Sequence, residues 1–171
     1  SVGDLDSFRF DFVAGERFFI RLAELPGSSL TPALRLYGPD GSLVAADSTS
    51  TVASLSGSAT VTGRHTLVGS DASFSSSGPI SSGPYGHRWA TFPGANGDGV
   101  LADGVTVSDS ISIGDLDTWS FLAAAGTSIQ ITLAEIGTPS FRPTFTVYGP
   151  GGAIVAFATD SSVASVSLAA P

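Results

Sequence analysis

Apolar residues recur at every second position through much of this chain, and no long stretch carries the three-and-four spacing of an amphipathic helix. In Ser7–Val13, Phe8, Phe10 and Phe12 share one phase while Arg9 and Asp11 take the other, which predicts a half-buried strand. Ala14-Gly15 then marks a turn, and Phe18, Ile20 and Leu22 set the phase of a second strand. Leu34 and Leu36 predict a third. Gly38-Pro39-Asp40-Gly41 is a tight-turn signal, because proline pre-sets φ and glycine accepts positive φ. Further strands are expected at Leu43–Ala45, Val52–Ser56, Arg64–Val68 and Tyr85–Phe92, with a Ser/Gly-rich loop at 70–83. Ala95–Gly99 reads as a linker, and the alternation at Val105–Ile113 as one more strand.

The pattern occurs twice. Residues 1–60 align with residues 112–171 at an offset of 111 with no gap, and 26 of the 60 pairs are identical. Gly3-Asp4-Leu5-Asp6 returns as Gly114-Asp115-Leu116-Asp117, and Tyr37-Gly-Pro-Asp-Gly41 as Tyr148-Gly-Pro-Gly-Gly152. Residues 61–111 occur once, so the chain carries about one and a half repeats. The expected fold is all-β, as tandem antiparallel sandwiches of jelly-roll-like type. Residues 1–94 form a first module lacking its first strand, and residues 95–171 a linker plus a second module lacking its last strands. Each module is then expected to leave an unpaired edge. Either the chain is an excerpt of a longer tandem array, or neighbouring molecules supply the missing strands. For the second case the assembly strand carries Val105, Val107, Ile111 and Ile113.

Composition narrows the function classes. The chain has 171 residues and a formal charge of −8, with twelve Asp, three Glu, seven Arg and no Lys. Clustered cations are needed to neutralise phosphate, so nucleic acid and anionic membrane surfaces are not expected partners. No cysteine is present, which excludes disulfides, thiolate metal sites and thiol nucleophiles. No apolar run is long enough for a membrane-spanning helix. Ser1 suggests a processed or excerpted segment.

The string Gly-Asp-Leu-Asp-x-Phe/Trp-x-Phe, an Ala-Gly turn, an apolar strand and Tyr-Gly-Pro-x-Gly together resemble the bacterial pre-peptidase C-terminal domain. The likeness continues through Gly63-Arg-His-Thr-Leu-Val68, where His65 stands in place of the family's usual aromatic residue. The resemblance implies secreted, usually non-catalytic β-sandwiches appended to exported bacterial proteins. It also implies kinship with the collagen-binding modules of clostridial collagenases, some of which bind calcium through an acidic linker and aspartates at this strand's start. Asp6 and Asp117 match those aspartates, with Asp4 and Asp115 beside them. The acidic linker motif is not recognisable, and Asp98, Asp103 and Asp109 are its candidate substitutes. Calcium needs six to eight oxygens, so aspartates that bond backbone N–H groups at turns are the competing expectation.

No nucleophile elbow or His-Glu-x-x-His motif accompanies His65 and His87, and both are expected as ordinary sheet residues rather than triad members. An enzyme is not expected. Tyr85, His87 and Trp89 are expected as a core-facing stripe, the alternative being an aromatic platform for sugar or peptide. Phe19, Tyr37 and Tyr148, with Phe74, occupy phases suited to an interface. The sequence therefore reads as an extracellular, non-catalytic structural or adhesive repeat protein. Its partners are copies of itself or adjacent modules. The alternative is an accessory module that docks a secreted hydrolase onto collagen, polysaccharide or its substrate.

Overall fold

The Phe8, Phe10 and Phe12 alternation does become a strand, and it packs its aromatic face against a second sheet. The computed structural model describes residues 3–75, 81–92, 97–137 and 141–171. The Phe74 side chain, Asn96 and the middle of the Ser-rich loop lie outside the described part. The described residues form thirteen strands: β1 (Asp6–Phe12), β2 (Arg17–Glu24), β3 (Pro32–Tyr37), β4 (Leu43–Ser48), β5 (Val52–Ser58), β6 (Gly63–Asp71), β7 (Tyr85–Phe92), β8 (Gly99–Val100), β9 (Trp119–Ser120), β10 (Ser128–Ala134), β11 (Thr144–Tyr148), β12 (Ile154–Thr159) and β13 (Val163–Ala169). A single 3-10 turn, Ala72–Ser75, is the one helical element among the described residues. The all-β, antiparallel expectation holds.

The chain divides into two compact units, Ser1–Trp119 and Ser120–Pro171. In the first, β1-β6-β3-β4 form one antiparallel sheet and β5-β2-β7 another. Phe10 and Phe12 of β1, Phe18, Ile20 and Leu22 of β2, and Leu34 and Leu36 of β3 close a common core with Leu55 and Leu67. Residues from both sheets interdigitate there, so this unit is a β-sandwich. His65 lies buried in the same layer as an ordinary strand residue, its ring edge-on to Phe12 and its Nδ1 3.0 Å from the Gly63 carbonyl.

In the second unit, β10 pairs with β13 and β11 with β12, both antiparallel. Its inward residues Ile129, Ile131, Leu133 and Phe145 are only half-buried.

One expectation needs correction. Residues 101–118 form no strand, and Val105, Val107, Ile111 and Ile113 all stand exposed. Alternation supplies a strand's face, but a ladder also needs an edge to pair with, and these residues pair with none. The first compact unit includes residues 97–119. Arg88 of β7 reaches Asp98 and Asp115, Arg21 of β2 bonds the Asp115 carbonyl and Gly114 packs on Ala23, which together tie residues 97–118 to the first sandwich.

Candidate functional site

Strands β1 and β7 border opposite sheets on one flank of the first sandwich, and each has a single ladder partner among the described residues. The β2–β7 register sets His87 opposite Leu22 and Trp89 opposite Ile20. Paired residues share a face, so the Tyr85, His87 and Trp89 row points inward as expected. The rings meet those of β1: Phe8 and His87 lie 4.5 Å apart between centroids, and Phe10 and Trp89 4.9 Å. Yet His87 is exposed and Trp89 stays 41% exposed, because β7 is a border strand with no further partner among the described residues. The flank is therefore aromatic, inward-facing and open.

Tyr85 closes one end of this row. Its hydroxyl donates to Asp6 Oδ2 at 2.5 Å. Burial and this hydrogen bond to a carboxylate push the phenol pKa up to about 12. One of the aspartates expected to bind calcium is thereby held by a tyrosine.

The outer face of the same sheet carries a strap. Arg88 Nε donates to Asp115 Oδ1 at 2.6 Å, and its Nη2 to Asp98 Oδ1 at 3.3 Å. Asp98 in turn accepts from the Thr118 amide at 2.6 Å. Arg21 donates from Nη1 to the Asp115 carbonyl at 2.9 Å and lies over the Phe19 ring at 4.9 Å. Burial lowers the Arg21 pKa, and its Nε is buried without an acceptor. Gly114, at φ +77, rests on Ala23 so closely that a Cβ there would run into the alanine methyl. For Asp115, burial opposes ionisation, but the Arg88 and Leu116 hydrogen bonds outweigh it and lower the pKa. Asp117 moves the other way, raised by burial and then by the neighbouring charges of Asp115, Asp98 and Asp109.

Of the candidate calcium residues, Asp98 and Asp115 meet on Arg88, and Asp117 feels the charges of both and of Asp109. Asp4 accepts from the Leu5 amide, and Asp109 from that of Ser110. Asp103 is exposed. No three His, Asp or Glu side chains converge as a metal-ligand set among the described residues. Of the interface aromatics, Phe19 is half-buried under Arg21, while Tyr37 and Tyr148 are half-buried opposite Leu43 and Ile154.

One polar centre had no signal in the sequence beyond a lone Asp near serines. Buried Asp71 ends β6 and accepts from the Thr31, Ser73 and Ser81 amides and from both serine hydroxyls, Ser81 Oγ at 2.7 Å. Burial opposes its ionisation, but the serine hydrogen bonds prevail and hold its pKa far below the usual carboxylate range. It clamps the start and end of the 72–81 segment to β3.

No family model matches the chain, and no curated protein matches it. No helix among the described residues is long and apolar enough to cross a membrane.

Proposed function

We propose that this chain is a non-catalytic, extracellular structural or adhesive repeat protein, a segment of a fibre or large surface protein whose modules join by strand complementation. The observation that carries the reading is a matched pair of surfaces: a β1 edge with no second ladder partner among the described residues, and an exposed apolar alternation at Val105–Ile113 that joins no ladder among them. Beside a free edge, such a segment gains a row of backbone hydrogen bonds and removes alternate apolar side chains from water. Burying each large one contributes roughly 1.5–3 kcal/mol. The likeness of Gly3–Phe10, Tyr37–Gly41 and their counterparts to the pre-peptidase C-terminal domain supports a secreted bacterial setting.

The test is assembly. The chain should form concentration-dependent polymers by sedimentation and electron microscopy, and Val107→Asp with Ile111→Asp should abolish them while leaving the circular dichroism of the sandwich intact. Polymers unimpaired by the double substitution, or a wild-type chain that stays monomeric at all concentrations, would overturn the proposal.

A second reading, an accessory binding module, is favoured by the half-open Trp89 beside His87 and Phe10. An exposed indole over an apolar flank suits stacking on a sugar or peptide ligand. Under this reading, Trp89→Ala should release the chain from collagen or insoluble polysaccharide. Retention undiminished by that substitution, or no retention at all, rules it out.

A further inference from the structure

The second unit repeats part of the first at the level of hydrogen bonds. Arg17 pairs with Ser58 and Ala23 with Val52, while 111 residues later Ser128 pairs with Ala169 and Ala134 with Val163. Ala33 pairs with Ser48 and Tyr37 with Leu43, as Thr144 does with Thr159 and Tyr148 with Ile154. Both of the latter hairpins carry a bulge at the same step. In the first unit, β6 occupies the free side of β3 and β7 the free side of β2. The corresponding sides of β11 and β10 have no partner among the described residues.

From this we infer that the second unit is an acceptor for a strand pair with the chemistry of β6 and β7, supplied by another copy of the repeat. The inference rests on the strand-complementation reading and assigns its second joint. Three features fix the occupant. Identical registers mean that the donor amides and carbonyls needed at β10 and β11 are those that β7 and β6 already satisfy at β2 and β3. The inward residues Ile129, Ile131, Leu133 and Phe145, half-exposed here, occupy the places of Phe18, Ile20, Leu22 and Leu34, which β6 and β7 help to bury. Charge also matches. Asp71, at the end of β6, pairs with Pro32 and bonds the Thr31 amide. The corresponding pair in the second unit is Arg142-Pro143, and Arg142 is exposed and the only basic residue after Arg88. A β6-type strand therefore brings its terminal carboxylate beside the one cation there.

The experiment extends the full chain after Pro171 with the sequence of residues 61–92, and in a second arm adds that segment as a free peptide. Amide hydrogen exchange is read at Ile129–Leu133 and Thr144–Val147. Either arm should slow exchange there by at least about tenfold, as expected when an open ladder becomes interior. The extension carrying its Leu67 position as Asp should not. Arg142→Ala should weaken binding of the free peptide without altering exchange in the unbound chain. Exchange unchanged by either arm overturns the inference, as does protection in the unextended chain caused by two second units pairing edge to edge. Loss of polymers in the Val107→Asp, Ile111→Asp chain leaves this readout untouched, so the two proposals fail separately.

Discussion

The β2–β5 and β3–β4 ladders of the first unit and the β10–β13 and β11–β12 ladders of the second differ in almost nothing but their cover. The Gly15 amide donates to the Ala59 carbonyl at 2.7 Å, and Gly126 to Ala170 at 2.9 Å. Gly38 to Ser42 and Gly149 to Ala153 are both 2.8 Å. Burial, however, diverges: Leu36 is fully buried and Phe18, Ile20 and Leu22 nearly so, whereas most of their counterparts remain half-exposed. Turns and cross-strand pairing are local and survive without cover, but a core needs both sheets complete. The most forceful way to break the comparison is therefore to empty the core. Leu36→Ala should cost the first unit about 2–5 kcal/mol. Leu133→Ala, at the place of the buried Leu22, should cost about 1 kcal/mol or less, since Leu133 is only half-buried. Denaturant unfolding followed by exchange in each unit measures both, and equal costs would mean that the second core is closed.

Acid separates the units next. Asp71 has no counterpart within the second unit. Its folded pKa lies below the unfolded value of about 3.9, so its stabilisation is complete above about pH 5 and fades as pH falls toward the folded value. Asp117, with a raised pKa, works in the opposite sense within the first unit and offsets part of the loss. Between pH 6 and 3 the first unit should still lose stability, and Asp71→Asn should remove roughly 2–3 kcal/mol at pH 7 while flattening that acid limb. Thermal melts across this range test both statements. An unchanged acid limb in the variant would mean that other carboxylates govern it.

What was legible beforehand follows the same division between local and remote. Strands β1 to β3 announce themselves because Phe8, Phe10, Ile20, Leu22 and Leu36 keep their alternation between glycine-marked turns. His65 and Leu67 likewise betray β6. Val105–Ile113 also alternates, broken only by Asp109, and forms no strand, because a sequence pattern does not reveal whether an edge is on offer. The inward phase of Tyr85, His87 and Trp89 was readable from spacing. Their half-open state was not, since it depends on β7 being a border. Arg88 joining Asp98 and Asp115, Tyr85 capturing Asp6, and the Asp71 clamp all link residues distant in the chain. Asp6, Asp98 and Asp115, which look like ligands in sequence, hold tyrosine, arginine and amide partners in this way.

A smaller effect sharpens the likeness of the units. Gly15 and Gly126 adopt φ values of +90° and +79°, and a Cβ at either would meet nothing within 4 Å. Alanine at either position therefore introduces conformational strain without a clash, about 1 kcal/mol in each unit. Equal shifts in the two unfolding transitions are expected. A cost confined to one unit would show that the turns are not equivalent.

The smallest change probes where the units differ on the outer face. Arg21 in β2 corresponds to Thr132 in β10, whose hydroxyl lies 3.3 Å from that of Ser165. Arg21→Thr gives the first unit the outer residue of the second. The guanidinium carries a buried Nε with no acceptor, so its removal relieves one unsatisfied donor while losing the bond to the Asp115 carbonyl and the contact with Phe19. These terms oppose, and the net change in global stability should stay within about 1 kcal/mol. The strap responds more than the sandwich, because only Arg88 then grips Asp115. Amide exchange at Asp115 and Leu116, and proteolysis between residues 101 and 118, should accelerate several-fold, and more so in high salt, which screens the half-exposed Arg88 pairs. A strap that stays protected would mean that Gly114 packing on Ala23 holds it, and Gly114→Ala should then release it.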